Sequence, residues 1–319
     1  MKGKATPSTS HRWMVHFWLG LLGMVTIQAL LAAGNRFVAV WLTPMMWTAY
    51  IAFADALVLR LRGVSWLASR RREFPLLVIA SVGVWLLFEA YNLHLHNWVY
   101  LNVPTDPLVR DLAYFWSFAT IMPGVFETSE LALALLERRS PSNPPTASTP
   151  AEGSRHTGLW FVIGLGMVTI PAVSPAWIAP FLFAPVWLGF FPLFDSLNGL
   201  LGPASLIRLG GAARRRSVWA LMIGGGVCGL LWEAWNLQAA LAGGGHWVYT
   251  IPRALHVFNL HYGKMPVLGL LGFPPFALEL FAVYNFLRQV TGGDRIWHPS
   301  EPATAFTAWS RSPSDPGSA

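Results

Sequence analysis

Leu86–Leu93 reads LLFEAYNL and Leu230–Leu237 reads LLWEAWNL. Each stretch sets a glutamate and an asparagine three positions apart, so Glu89 shares a helix face with Asn92, and Glu233 with Asn236. The repetition continues outward. Asn97–Tyr100 reads NWVY and His246–Tyr249 reads HWVY. Arg70–Arg72 precedes Glu89 by the interval at which Arg214–Arg216 precedes Glu233. Trp47 precedes Asp55 as Trp187 precedes Asp195, and Pro123 with Glu127 matches Pro275 with Glu279. The chain therefore reads as two copies of one unit.

Composition places that unit in a membrane. The 319 residues are 54% hydrophobic and only 12% charged, with mean hydropathy +0.46. Soluble domains carry about 25% charged residues, so most soluble globular classes are excluded. High hydrophobicity excludes intrinsic disorder. The 17 Trp fit a chain that crosses apolar–aqueous interfaces. The single Cys228 excludes an internal disulfide framework and any Cys-rich metal site.

Eight apolar segments approach the roughly 20 residues a spanning helix needs. They are Trp13–Ala33, Phe37–Leu59, Pro75–Leu93, Leu112–Leu136, Gly158–Ile178, Phe181–Leu201, Val218–Ala240 and Met265–Leu287. The first is too long for a signal-peptide core. With the N-terminus inside, about 18 Lys and Arg fall in inner segments and about 4 in outer ones, a positive-inside asymmetry. The net charge of +7 and pI near 10.0 thus report topology and anionic lipid contact rather than nucleic-acid binding.

The predicted fold is all-α: a polytopic membrane helix bundle of about eight spans, arranged as two parallel four-span repeats with both termini cytoplasmic. Parallel repeats are related by an axis along the membrane normal. The first repeat takes 1–139, a flexible cytoplasmic linker 140–157, the second repeat 158–291, and a disordered tail 292–319. A bacterial cytoplasmic (inner) membrane is the expected location.

Acids inside apolar spans are the candidate chemistry. A carboxylate at the bilayer centre costs at least about 2.5 kcal/mol, so it faces a cavity or partner, or holds a proton. A carboxylic acid in apolar surroundings is a proton donor. Glu89, Glu233, Glu127 and Glu279 are the acid–base candidates, with Glu130 on the face of Glu127. Asn92 and Asn236 can orient the first two and are substrate-binding candidates. The plain alternative is a Glu–Asn clasp between helices. Pro123, Pro274 and Pro275 break spans beside Glu127 and Glu279, and such breaks shape cavities. Asp55 and Asp195, near the inner span ends, are expected to pair with arginines such as Arg60 or Arg208.

Trp98, Tyr100, Trp247 and Tyr249 lie just outside the Glu89 and Glu233 spans. An interfacial aromatic belt accounts for them. Lining an apolar substrate chamber is the alternative, where ring faces would stabilise a carbocation. His94, His96, His246, His256 and His261 read as scattered interfacial residues, with no metal site expected. No nucleotide-binding loop or serine-nucleophile elbow appears, and the sequence leaves any cofactor unknown.

The order carboxylate, Asn, Trp-x-Tyr, Pro, Glu resembles the transmembrane lycopene cyclase domain, the carotenoid cyclase type found as paired subunits or as tandem repeats. The matching residues are Glu89, Asn92, Trp98, Tyr100, Pro123, Glu127 and Glu130, then Glu233, Asn236, Trp247, Tyr249, Pro275 and Glu279. The chain is otherwise similar to uncharacterised bacterial multi-pass membrane proteins. The resemblance implies acid–base isomerisation or cyclisation of a lipid-soluble isoprenoid. A protonated Glu would donate to a terminal double bond, and a second carboxylate would take a proton after ring closure. Two other readings stay open: a proton- or cation-coupled transporter, and a structural subunit of a membrane complex. The expected partners are membrane lipids and a lipid-soluble small molecule, with a second copy of the chain or a complex partner also compatible.

Overall fold

The computed structural model describes residues 7–139, 156–202, 205–207 and 211–291. α1 (Pro7–Ala32), short α2 (Arg36–Val40) and α3 (Leu42–Arg62) open the chain. Next come α4 (Phe74–Leu95), β1 (Trp98–Leu101), α5 (Pro107–Ala119) and α6 (Ile121–Arg139). Then follow α7 (Thr157–Val173), α8 (Phe183–Leu201) and α9 (Gly211–Leu241). The strands β2 (His246–Tyr249), β3 (His261–Tyr262) and β4 (Met265–Pro266) lead into α10 (Val267–Val290). The expected linker at 140–157, apart from His156 and Thr157, and the tail at 292–319 lie outside the described residues.

The molecule is a mostly helical bundle. Among the described residues, six helical stretches are long and apolar enough to cross a membrane: α1, α3, α4, α5 with α6, α9 and α10. α7, at 17 residues, is shorter. The 19-residue α8 carries Pro192, Asp195 and Asn198, which lower its apolarity.

Three of the apolar segments are less continuous than their hydropathy suggests, and proline explains each break. Proline lacks an N–H, and its ring clashes with the carbonyl four residues back. Pro44 thus separates α2 from α3 at Trp41, and Pro123 separates α5 from α6 at Thr120. Ser81 of α4 enters the second break: its hydroxyl donates to the Phe118 carbonyl at 2.5 Å and accepts from the Met122 N–H at 2.9 Å. Every freed backbone group must find such a partner in a bilayer. α7 ends at Val173, with Pro171 inside it and Pro175 beyond.

Small residues set the closest approaches, as expected where hydrocarbon on all sides removes the hydrophobic drive between helices. α1 lies along α3, α7 along α8, and both α6 and α10 pack on α9. A Cβ at Gly20 would sit 2.4 Å from the Phe53 nitrogen, and one at Gly164 the same distance from the Leu193 nitrogen. On α9, a Cβ at Gly225 would lie 2.3 Å from the Phe273 carbonyl oxygen. Gly225→Val is therefore expected to push α10 away and cost about 1–3 kcal/mol. Detergent unfolding measures it, and unchanged stability would contradict this packing.

β1 and β2 form a two-stranded antiparallel ribbon at one end of the bundle. Trp98 faces Tyr249, Val99 faces Val248, and Tyr100 faces Trp247. The two Trp-Val-Tyr triplets thus pair with each other, in the register that a twofold axis through the valine pair would produce. Arg36 crosses at the same end, donating to the carbonyls of Ala242 and Gly243 at 3.3 and 3.4 Å.

Candidate functional site

Beneath the ribbon lies a cavity of about 280 Å³, close to the lower end of the range for small-molecule sites, roughly 300 Å³. Trp47 of α3, Trp85 of α4, Trp187 of α8 and Trp232 of α9 form its sides, and Trp98 and Trp247 of the ribbon close it above. Their rings interlock: the centroid of Trp232 is 5.5 Å from Trp85, 5.7 Å from Trp47 and 5.7 Å from Trp247. Trp98 and Trp247 are only 8% and 9% exposed, so they turn into the protein. The aromatic-belt expectation fails for them, because strand pairing points these two side chains inward.

Two carboxylates lie behind the lining, each bonded to a lining tyrosine. All three donors to Glu89 fall on Oε1: Trp85 Nε1 at 2.9 Å, Trp98 Nε1 at 3.0 Å and the Tyr100 hydroxyl at 2.5 Å. Glu233 is buried and uses both oxygens. Oε2 accepts from the Tyr249 hydroxyl at 3.2 Å and Asn236 Nδ2 at 3.3 Å, and Oε1 accepts from the Lys264 backbone N–H at 2.6 Å. Gly263, at φ +59°, delivers that N–H, and a Cβ there would come within 2.6 Å of Glu233 Oε1. Tyr100 and Tyr249 both line the cavity. Burial, and then the adjacent carboxylate, holds each phenol well above its ordinary range. Both hydroxyls therefore stay protonated and serve as donors or relays.

Asn92 and Asn236 have a narrower role than expected. Each grips the backbone of the ribbon tryptophan. Asn92 Nδ2 donates to the Trp98 carbonyl at 2.9 Å, and Asn236 Nδ2 to the Trp247 carbonyl at 3.0 Å. Their Oδ1 atoms accept the N–H groups of the same tryptophans at 3.2 and 3.0 Å. Both asparagines therefore position the ribbon, and only Asn236 also touches its glutamate.

Glu127 and Glu279 lie outside the cavity lining. Glu279 Oε1 accepts the Phe190 N–H of α8 at 3.0 Å, on the turn before Pro192. Glu127 is buried beside Asp55 and Glu130 in a separate polar cluster. There Arg70 pairs with Glu130, and His16 Nδ1 lies 2.8 Å from Asp55 Oδ2. None of the four glutamates is itself in the lining. Glu89 and Glu233 reach the chamber through the lining hydroxyls of Tyr100 and Tyr249, and the other two candidates lie elsewhere.

Asp55 and Asp195 hold loops. Asp55 Oδ1 accepts the Leu67 N–H at 2.8 Å, and Asp195 Oδ2 accepts the Ile207 N–H at 2.9 Å. Each of these N–H groups lies twelve residues beyond its aspartate. Asp195 also takes the Leu206 N–H and the Ser205 hydroxyl, both at 2.7 Å. Neither role required the arginine partners expected from the sequence.

Trp85, Trp232, Phe273 and the Lys264 N–H are site components that sequence reasoning missed. Trp47 and Trp187 did carry a signal, since their shared interval to the aspartates marked the repeat. Among the described residues, no group of three or more His, Cys, Asp or Glu side chains is placed to hold a metal ion. Comparison with protein-family models, curated proteins and solved structures finds no match.

Proposed function

We propose that this protein is an integral membrane enzyme that isomerises or cyclises a lipid-soluble isoprenoid by proton transfer, the reaction implied by its resemblance to the transmembrane lycopene cyclase domain. One observation carries the reading: two Tyr–Glu couples, Tyr100–Glu89 and Tyr249–Glu233, flank a single aromatic chamber. In one couple, with its carboxyl protonated and its tyrosine hydroxyl turned from the carboxyl to the ligand, the carboxyl gives its proton to the tyrosine oxygen as that hydroxyl protonates a ligand double bond. The resulting cation lies among tryptophan faces, which attract positive charge. It closes a ring onto a second double bond or shifts the first. The opposite couple then takes a proton from an adjacent carbon. Return of a proton from the second couple to the first resets the pair. No oxidant enters, and the product has the mass of the substrate.

The same proposal places the chain in a bacterial cytoplasmic membrane, with both termini inside, as eight spans in two parallel four-span units. Supporting this are the ribbon register and the matched loop clamps at Asp55 and Asp195. The matched contacts of Gly20 with Phe53 and Gly164 with Leu193 support it further. The partners are then membrane lipids and the isoprenoid itself, and nucleic acid plays no part.

Lipid extracts from cells with and without the gene, each supplied with linear isoprenoids, provide the test. The expected result is a new compound of unchanged mass carrying a ring or a displaced double bond. Identical extracts across the series would remove the reading.

A further inference from the structure

The two sides of the chamber are not equivalent. On one side, Thr43, Pro44 and Trp47 of α3 face Ala113 and Ser117 of α5 across the lining. That side is bolted: Trp116 Nε1 donates to Thr48 Oγ1 at 2.9 Å, and the Trp116 ring lies 5.8 Å from that of Trp41. On the other side, α8 and α10 form the wall, and the position matching Thr48 is Leu188, which has no hydroxyl. Ala184 and Leu188 of α8 and Leu271 of α10 line the chamber and are also exposed, Leu188 at 40% and Leu271 at 61%. A Cβ built on Gly272, also in the lining, meets nothing within 4 Å.

The two helices are joined further down, where Asn198 Nδ2 donates to the Ala282 carbonyl at 2.8 Å. We propose that the ribbon end of the α8–α10 wall, where Ala184, Leu188 and Leu271 both line the chamber and are exposed, is a lateral portal through which the hydrocarbon chain of a lipid-soluble molecule enters from the bilayer. This inference rests on the chamber being the substrate site. Leu188 and Leu271 lie about 6–8 Å along their helices from the ribbon end, at 1.5 Å per residue, which is acyl-chain depth for spanning helices. The rim is apolar, so a hydrocarbon chain loses no hydrogen bond in crossing it. Size adds a second constraint. The cavity, at about 280 Å³, is near the bottom of the range for small-molecule sites, roughly 300 Å³. The chamber accepts one end of a long chain, and the rest stays in the portal and the surrounding lipid.

The test uses the full chain in lipid nanodiscs and a long-chain isoprenoid alcohol with a diazirine at its hydrocarbon end. After illumination, mass spectrometry compares labelling of the chamber segments around Trp232 and Phe273 with labelling of the exposed α1 face around Trp18. Chamber labelling is expected in the unmodified protein. Leu188→Trp with Leu271→Trp is expected to lower it by about tenfold and leave α1 labelling unchanged. A Leu188→Cys, Leu271→Cys pair in a Cys228→Ala background guards against misfolding. A cleavable linker between the two thiols should abolish chamber labelling, and cleavage should restore it. Chamber labelling that persists with this rim closed would overturn the portal while leaving the chamber reading intact. An unlabelled chamber beside a labelled α1 would overturn the chamber reading, and the portal with it.

Discussion

Glu89→Gln is expected to lower turnover by about 10²–10⁴-fold, the usual contribution of a positioned acid or base, and to leave the folded protein as stable as before. The geometry makes this substitution unusually clean. All three donors to Glu89 converge on one oxygen. A glutamine keeps its carbonyl oxygen there and turns its amide nitrogen away, so no hydrogen bond is lost. Only the capacity to exchange a proton disappears. Glu233→Gln differs, because donors reach both carboxylate oxygens. One amide orientation or the other then sets an NH₂ against a donor, at about 1–3 kcal/mol for the unsatisfied group. The pair therefore separates chemistry from folding: both variants lose turnover, and only the second loses stability. Product assays and detergent unfolding on the same preparations measure the two effects. Wild-type turnover in Glu89→Gln would end the acid–base assignment.

Arg70→Met is expected to destabilise the bundle by about 3–5 kcal/mol, the cost of leaving one member of a buried ion pair uncompensated. The Arg70 and Glu130 side chains are 4% and 1% exposed, and the guanidinium carbon sits 3.8 Å from the centroid of the Trp66 ring. Asp55 and Glu127 are buried in the same cluster, so removing the arginine leaves a group of acids short of a cation. Adding Glu130→Leu should recover most of the loss, since an apolar replacement of both partners is often neutral. The double-mutant cycle is read from unfolding midpoints. An Arg70→Met variant as stable as wild type, or a double variant no better than the single, would show that the pair is not structurally coupled.

Hydropathy made the helices legible, because a run of apolar residues reports its environment whatever its neighbours do. The breaks at Trp41 and Thr120 were less visible. Proline signals a break, but its exact place depends on partners such as Ser81, which comes from another helix. The carboxylates behaved differently from one another. Glu89 and Glu233 could be singled out because they repeat with their Asn and Trp-Val-Tyr companions. Their separation from Glu127 and Glu279 is a matter of which acids meet the ribbon tyrosines that line the chamber, and one chain's hydropathy does not encode that. The inward turn of Trp98 and Trp247 follows from pairing across about 150 residues of sequence, so local composition suggested a belt. Asp55 and Asp195 bind backbone N–H groups, a class of partner that no residue identity announces.

The ribbon register also bears on how this protein can change over generations. Because each triplet lies antiparallel to the other, Trp98, a donor to Glu89, stands opposite Tyr249, a donor to Glu233. Trp247 stands likewise opposite Tyr100. A substitution at Trp98, Tyr100 or Tyr249 disturbs one acid directly and the other through its strand partner, and Trp247 acts on Glu233 through the Tyr249 hydroxyl to which it donates. Their mutational effects should be strongly epistatic, and the two acids should be inherited and tuned as one unit.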